Sequence, residues 1–367
     1  MKKQSLVNRR TFFKSAAAGV LIGTTSCVTK APLSITTPPQ GRRARIATVC
    51  QAGIMRKTIA ESCALMMERA DKVLEQKPDL VCLPENFATA GMGKNPASEK
   101  AEALHGMTIE AAAQRARKHH CYIVCPSYTQ RDGKIFNSAI ILDRKGEVAG
   151  IYDKACPVAT SPDYTVLEDG VTPGSPDIPV FDLDFGRIGI QICYDLGFPE
   201  NWELLRKKGA QMVLWPSAYD GGFPLWAYAY LHHYYIMTSV RSGQSRIVDP
   251  CGAVLVETDK DTPFVMRDVN LDFIVSHLDW NVSIPDKIKA KYGDRVDVRR
   301  TNPGCGHILV EPVDPVITVR ALQDEFGFES SFEYHDRNRA AYADIRAGRK
   351  PSPQNARHGV RPQWGKF

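Results

Sequence analysis

Hydrophobic positions in this chain fall into two rhythms. Short apolar runs such as RARIATVC, DLVCLPE and QMVLWPSAY read as strands, and DLVCLPE is near-continuous, as expected for a strand covered on both faces. Between them, KTIAESCALMMERADKVLEQ puts Ile59, Cys63, Met66, Met67, Ala70, Val73 and Leu74 on one helical face. MTIEAAAQRARKHH predicts a second amphipathic helix with Thr108 at its cap. CYIVCPSY and FNSAIILD read as strands joined by a tight turn at Asp132-Gly133, and VAGIYDK as the next strand. An irregular Pro/Gly-rich stretch runs from Lys154 to Pro179. FPLWAYAYLHHYYIM reads as an aromatic helix, SGQSRIVDPCGAVLVE as a hairpin around Asp249–Gly252, and PFVMRDVNLDF as a further strand. Helices between strands, followed by hairpins, make this an α/β fold.

The segment GRIGIQICYDLGFPE carries the strongest chemical signal. Arg187 to Ile192 alternates as a buried strand, and NWELLRKKG follows as a helix. Cys193 thus stands between a strand end and a helix N-terminus, where backbone N–H groups favour a thiolate. Glu85 ends LVCLPEN, and Lys154 follows VAGIYD. Sixty-nine residues separate Glu85 from Lys154, and thirty-nine separate Lys154 from Cys193. That spacing lets each close a different strand of one sheet.

The ordered signatures LPEN, YDKACP and QICYDLGFPE resemble those of the nitrilase superfamily of carbon–nitrogen hydrolases. EDGVTPG, WPSAY and SRIVDPCG reinforce the resemblance, which covers residues 43–275. It implies a four-layer α-β-β-α sandwich. It also implies catalytic roles for Glu85, Lys154 and Cys193, with Glu168 orienting the lysine or the attacking water. Tyr194, Trp215, Ser217 and Tyr219 are expected at the substrate, and for Trp215 a core role is an equal alternative. No metal and no cofactor is required. Tyr194-Asp195 looks more like the amidase and carbamoyl-hydrolase branches than the nitrilase branch. The implied reaction is cleavage of a non-peptide C–N bond, in a linear amide or N-carbamoyl compound, through a cysteine thioester. A nitrilase, an N-acyltransferase and a catalytically silent exported binding protein are the alternatives. Two positions depart from the family pattern: Gly197 stands where arginine is frequent, and His232-His233 where an acidic residue lies.

The chain ends are different in kind. Residues 1–27 pair Arg9-Arg10 with a short, weakly apolar stretch and resemble a twin-arginine export signal, which implies a periplasmic protein. Cys27 follows as in a lipoprotein signal, so a lipid anchor and a free periplasmic protein both stay open. No run is long enough to span a bilayer, which argues against the membrane acyltransferase branch. Residues 28–42 read as a linker and 43–284 as the hydrolase domain. Residues 285–367, charged and irregular with two short helices, read as a C-terminal extension that supports a homodimer or higher homo-oligomer.

At 367 residues, 43% hydrophobic and 24% charged, the chain can bury one large core. A net charge of +6 without a basic, aromatic-interleaved stripe gives no case for nucleic acid. Most of the ten cysteines lie in apolar runs and read as free buried thiols, in no metal-ligand spacing. The partner that the resemblance implies is a small amide or carbamoyl compound.

Overall fold

A computed structural model of the chain describes residues 41–279, 281–302 and 306–352. The export signal, Cys27 and residues 28–40 of the linker lie outside the described residues, as do residues 353–367.

The first half forms β1 (Arg43–Val49), α1 (Ile59–Leu74), β2 (Leu80–Cys82), α2 (Ala97–Lys100), α3 (Met107–His119), β3 (Tyr122–Arg131), β4 (Lys134–Leu142) and β5 (Val148–Asp153). The second half forms β6 (Val180–Leu183), β7 (Gly186–Ile190), α4 (Pro199–Lys207), β8 (Met212–Ser217), α5 (Phe223–His232), β9 (Tyr235–Val240), β10 (Arg246–Val248), β11 (Val254–Glu257) and β12 (Phe264–Asn270). Strands β12-β1-β2-β3-β4-β5 make one six-stranded sheet, and β11-β10-β9-β8-β7-β6 make another.

Side-chain alternation explains the layering. In the first sheet Ile46, Leu80, Cys82, Val124, Ala139 and Ile141 face the second sheet's Ile188, Ile190 and Met212. Their neighbours Ala47, Val81, Ile123, Cys125, Ile140 and Leu142 face α1 and α3 on the other side. Both faces are therefore apolar. On the outer face of the second sheet, Trp202 and Leu205 of α4 and Leu225 and Ala229 of α5 are buried. The result is the expected α-β-β-α sandwich. The two sheets are also laced by hydrogen bonds at their centres. Thr48 Oγ1 donates to the Thr238 carbonyl at 2.5 Å, and Ser239 Oγ reaches the carbonyls of Val49 at 2.7 Å and Cys82 at 3.0 Å.

Local readings are corrected in three places. α3 starts at Met107 with Gly106 as its cap residue, so Thr108 lies inside the helix and is buried. FPLWAYAYLHHYYIM is not one helix: α5 ends where His233 turns left-handed at φ +51, and Tyr235-Ile236-Met237 joins β9. The pairing of β9 with β8 overrides helical continuation there, because it buries that segment completely. The charged stretch after residue 284 is ordered into α6 (Ile284–Tyr292) and β14 (Val296–Asn302). β14 joins β13 (Ile274–His277) and β15 (His307–Pro312) in a three-stranded antiparallel sheet. With α7 (Val319–Phe326), this sheet encloses its own core of Ile274, Ile284, Ile288, Val296, Ile308 and Leu322. The last helix, α8 (Ser331–Arg346), brings Phe332 against His233 at the end of α5 and under the Arg206 guanidinium of α4.

Candidate active site

Glu85 and Lys154 come from the first sheet, just beyond β2 and β5, and Cys193 from the second, just beyond β7. The expectation that all three close strands of one sheet is thereby corrected. The site lies between two sheets, because the chain crosses from one layer to the other after β5.

Lys154 is buried and pinned by two carboxylates. Its Nζ lies 3.1 Å from Glu85 Oε1 and 2.5 Å from Glu168 Oε1. Asn137 on β4 completes the frame. Its Nδ2 donates to Glu85 Oε1 and to Glu168 Oε2, each at 2.9 Å. Glu168 sits at φ +42, within a loop whose backbone is tied to Val158 at 2.8 Å. That left-handed conformation is uncommon for a side-chain-bearing residue and aims the carboxylate inward.

Cys193 is also left-handed, at φ +47, and opens a 3-10 turn running to Gly197. Strain of this kind persists only where surrounding contacts over-determine the backbone. Asp195 supplies them. It is fully buried, accepts the Tyr152 hydroxyl at 2.7 Å and the Ile192 N–H at 2.8 Å on Oδ2, and accepts the Cys156 N–H at 2.9 Å on Oδ1. Tyr152 in turn accepts from Gln191 Nε2 at 3.1 Å and from the Ala155 N–H at 3.3 Å. One buried carboxylate thus ties the turn after β7 to β5, the strand just before Lys154.

The predicted neighbours divide by burial. Trp215 is fully buried, and its indole N–H donates to the Cys193 carbonyl at 3.1 Å, so it braces the Cys193 turn from behind. Ser217 is buried too, and its Oγ accepts the Tyr219 N–H at 3.1 Å. Tyr194 and Tyr219 stay half open, at 46% and 45% exposure. The Tyr219 phenol interacts electrostatically with both Cys193 and Tyr194. A Cβ added at Gly197 would meet nothing within 4 Å, so open space flanks the turn.

Burial pushes Glu85 toward its neutral acid, but the Lys154 and Arg241 charges and the Asn137 bond outweigh it and hold the carboxyl below its ordinary value. For Lys154, burial lowers the pKa and the charges of Glu85 and Glu168 raise it further than that, so the ammonium persists. Burial and the Glu85 charge push the Cys193 thiol up to about 11, against the opposing pull of Lys154. This corrects the thiolate expected from position alone. A helix N-terminus contributes a partial charge, and here desolvation and a full negative charge outweigh it. The resting site is an ionised acid, an ammonium and a neutral thiol.

Sequence reasoning did not identify Asn137, Tyr152 or Arg241, and it read Asp195 only as part of a turn. The available signal for Asn137 was an amide inside the apolar strand FNSAIILD, since such a group is buried only when bonded. Among the described residues no cluster of three or more His, Cys, Asp or Glu side chains is placed to hold a metal ion.

Comparison with known proteins agrees with this geometry. The carbon–nitrogen hydrolase family matches residues 46–276. The chain is 34% identical over 185 residues to the nitrilase and fragile histidine triad fusion protein NitFhit of Drosophila melanogaster, covering 49% of this chain and 40% of that protein. It spans about half the length of the NitFhit relatives it matches, 52% of the Caenorhabditis elegans protein and 40% of the Drosophila one. It is 29% identical over 240 residues to the deaminated glutathione amidase of Dictyostelium discoideum, covering 56% of this chain and 81% of that one. In structure it is similar to an amidase from Nesterenkonia sp., with a TM-score of 0.55 and 22% identity over 64% of this chain and 94% of that chain, a likeness of fold. With most of the sandwich inside the matched span, this chain belongs to the carbon–nitrogen hydrolase family.

Proposed function

We propose that the protein is an amidase-like hydrolase that cleaves a linear amide or N-carbamoyl compound with Cys193 as nucleophile. The observation that carries this reading is the buried Lys154 held between Glu85 and Glu168 beside a strained cysteine. A structural ion pair has no need of two acids, and burying them is costly.

The protonation states set the order of steps. Cys193 attacks the carbonyl carbon as its proton passes to ionised Glu85. The tetrahedral oxyanion forms against the Lys154 ammonium and the backbone N–H of Tyr194. Glu85 returns the proton to the departing nitrogen, and ammonia or an amine leaves a thioester on Cys193. Water, deprotonated by Glu85, then releases the acid and restores the thiol. Glu168 and Asn137 keep Lys154 and Glu85 in position throughout.

The Dictyostelium discoideum relative bears the name deaminated glutathione amidase, and the Tyr194-Asp195 pair supports amides over nitriles. The test is a panel of small amides, N-carbamoyl compounds and nitriles, read by ammonia release. Cys193→Ala is expected to abolish release while keeping a wild-type circular dichroism spectrum. Undiminished turnover in that variant would overturn the proposal, and turnover of nitriles alone would replace it with a nitrilase reading.

A further inference from the structure

Glu85 Oε1 is fully engaged by Lys154 and Asn137, whereas Glu85 Oε2 is buried with no hydrogen-bond partner. The group facing Oε2 is the Arg241 guanidinium, whose Nη2 lies 3.9 Å away. That is a charge contact and too long for a hydrogen bond. Arg241 follows β9 directly, and its backbone is fixed on two sides. Its N–H donates to the Ser217 carbonyl at 2.9 Å, and its carbonyl accepts the Gly53 N–H at 2.7 Å. Its side chain is 29% exposed, so the charge approaches Glu85 from the open side of the site.

Counting charges shows why this matters. Glu85 and Glu168 bring two negative charges, and Lys154 brings one positive charge. Without another cation the buried cluster carries a net negative charge, and a buried cluster relieves such an excess by keeping a proton on one carboxyl. A protonated Glu85 cannot accept the thiol proton. We propose that Arg241 is a positioning residue whose guanidinium keeps Glu85 ionised and so able to act as the base toward Cys193. The inference rests on the proposed role of Glu85.

The other titratable groups around Glu85 do not substitute for it. Tyr128 on β3 and Tyr219 after β8 are phenols whose ionisation is suppressed by burial, Cys193 is a neutral thiol, and Glu168 is an acid. Lys154 already faces both carboxylates. Among the described residues Arg241 is thus the second cation at this carboxylate.

The test compares Arg241→Gln and Arg241→Lys with wild type in the full chain, from about pH 4 to about pH 9. Two profiles are read: kcat/KM for an amide that wild type hydrolyses, and the rate of Cys193 alkylation by iodoacetamide. The acid limb of both reports the proton on the base of the free enzyme. In Arg241→Gln that limb is expected to move up by about 1–3 pH units, and in Arg241→Lys to stay near wild type. An acid limb in Arg241→Gln that coincides with wild type, whatever the rate lost, overturns the inference. Should Arg241→Gln fail to fold, Arg241→Met removes the same charge with similar bulk, and the same outcomes decide. Alkylation separates this inference from the functional reading. A wild type that releases nothing from any amide, yet whose alkylation limb moves in Arg241→Gln, defeats the function and leaves the role of Arg241 standing.

Discussion

Tyr152→Phe isolates the device that fixes the turn bearing Cys193, the proposed nucleophile. The substitution keeps the buried ring, so it creates no cavity. It removes one hydroxyl, which donates to Asp195 at 2.7 Å and accepts from Gln191 at 3.1 Å and Ala155 at 3.3 Å. A hydrogen bond to a charged partner contributes about 1.5–3 kcal/mol, and leaving buried donors unpaired adds to the loss, so a destabilisation of about 2–4 kcal/mol is expected. For a chain of this size that lowers Tm by about 3–6 °C. A slack turn misplaces the Cys193 sulfur, which costs about 10- to 100-fold in kcat/KM. The pH dependence has a definite sign. Burial raises the Asp195 carboxyl to about 6, against the opposing bonds from Tyr152 and the Ile192 N–H. A carboxyl whose folded pKa lies above its unfolded one favours the native state at low pH, and that contribution is lost as pH rises through the folded value. Without Tyr152 the folded value rises further, so the Tm deficit of the variant grows between about pH 5 and about pH 8. Scanning calorimetry at the two pH values, beside steady-state ammonia release, measures both effects. A variant with wild-type Tm at both, and an unchanged rate, refutes the claim that this hydroxyl holds the turn.

Two further outcomes follow from neighbouring contacts. Asn137→Asp places a third carboxyl where Nδ2 now bridges Glu85 and Glu168, and like charges that close cannot all ionise. Activity near neutrality should fall by at least about 100-fold, and Tm should recover on acidification, whereas equal deficits at both pH extremes would contradict the reading. Gly189→Ala on β7 sets a Cβ 2.6 Å from Leu205 Cδ2 of α4, directly upstream of Cys193. Overpacking of about 1–3 kcal/mol should lower the urea midpoint, and an unchanged midpoint would show that α4 yields freely.

The parts of the site legible in the sequence were those encoded locally. A near-continuous apolar run marks β2, a short apolar run after a turn marks β5 and alternation marks β7, so the strand-end addresses of Glu85, Lys154 and Cys193 follow from short windows of sequence. Asp132-Gly133 is likewise local: both residues adopt positive φ, +50 and +73, as the two-residue hairpin requires. Which strands share a sheet is not local, and so the separation of Cys193 from Glu85 and Lys154 into two layers was misread. The thiolate expectation failed for the same reason, because the desolvation around Cys193 comes from residues remote in sequence. FPLWAYAYLHHYYIM was misjudged because an unbroken apolar run has no periodic contrast to mark the change from α5 to β9. After residue 284, the few apolar positions Ile284, Ile288 and Val296 are diluted by charged neighbours, yet they suffice to seat α6 and β14 on a common core.

The division of the site between two sheets has a consequence for how its reactivity arises. Each half alone is ordinary chemistry: an acid–lysine pair on one side, and on the other a thiol like the seven other free cysteines among the described residues. Only docking of the two layers brings them together, across an apolar interface that also carries central ties such as Thr48 to Thr238 and Ser239 to Val49 and Cys82. The centre is therefore a gauge of interlayer contact. In the proposed mechanism, a parting of the layers would separate base from nucleophile while each sheet kept its own hydrogen bonds.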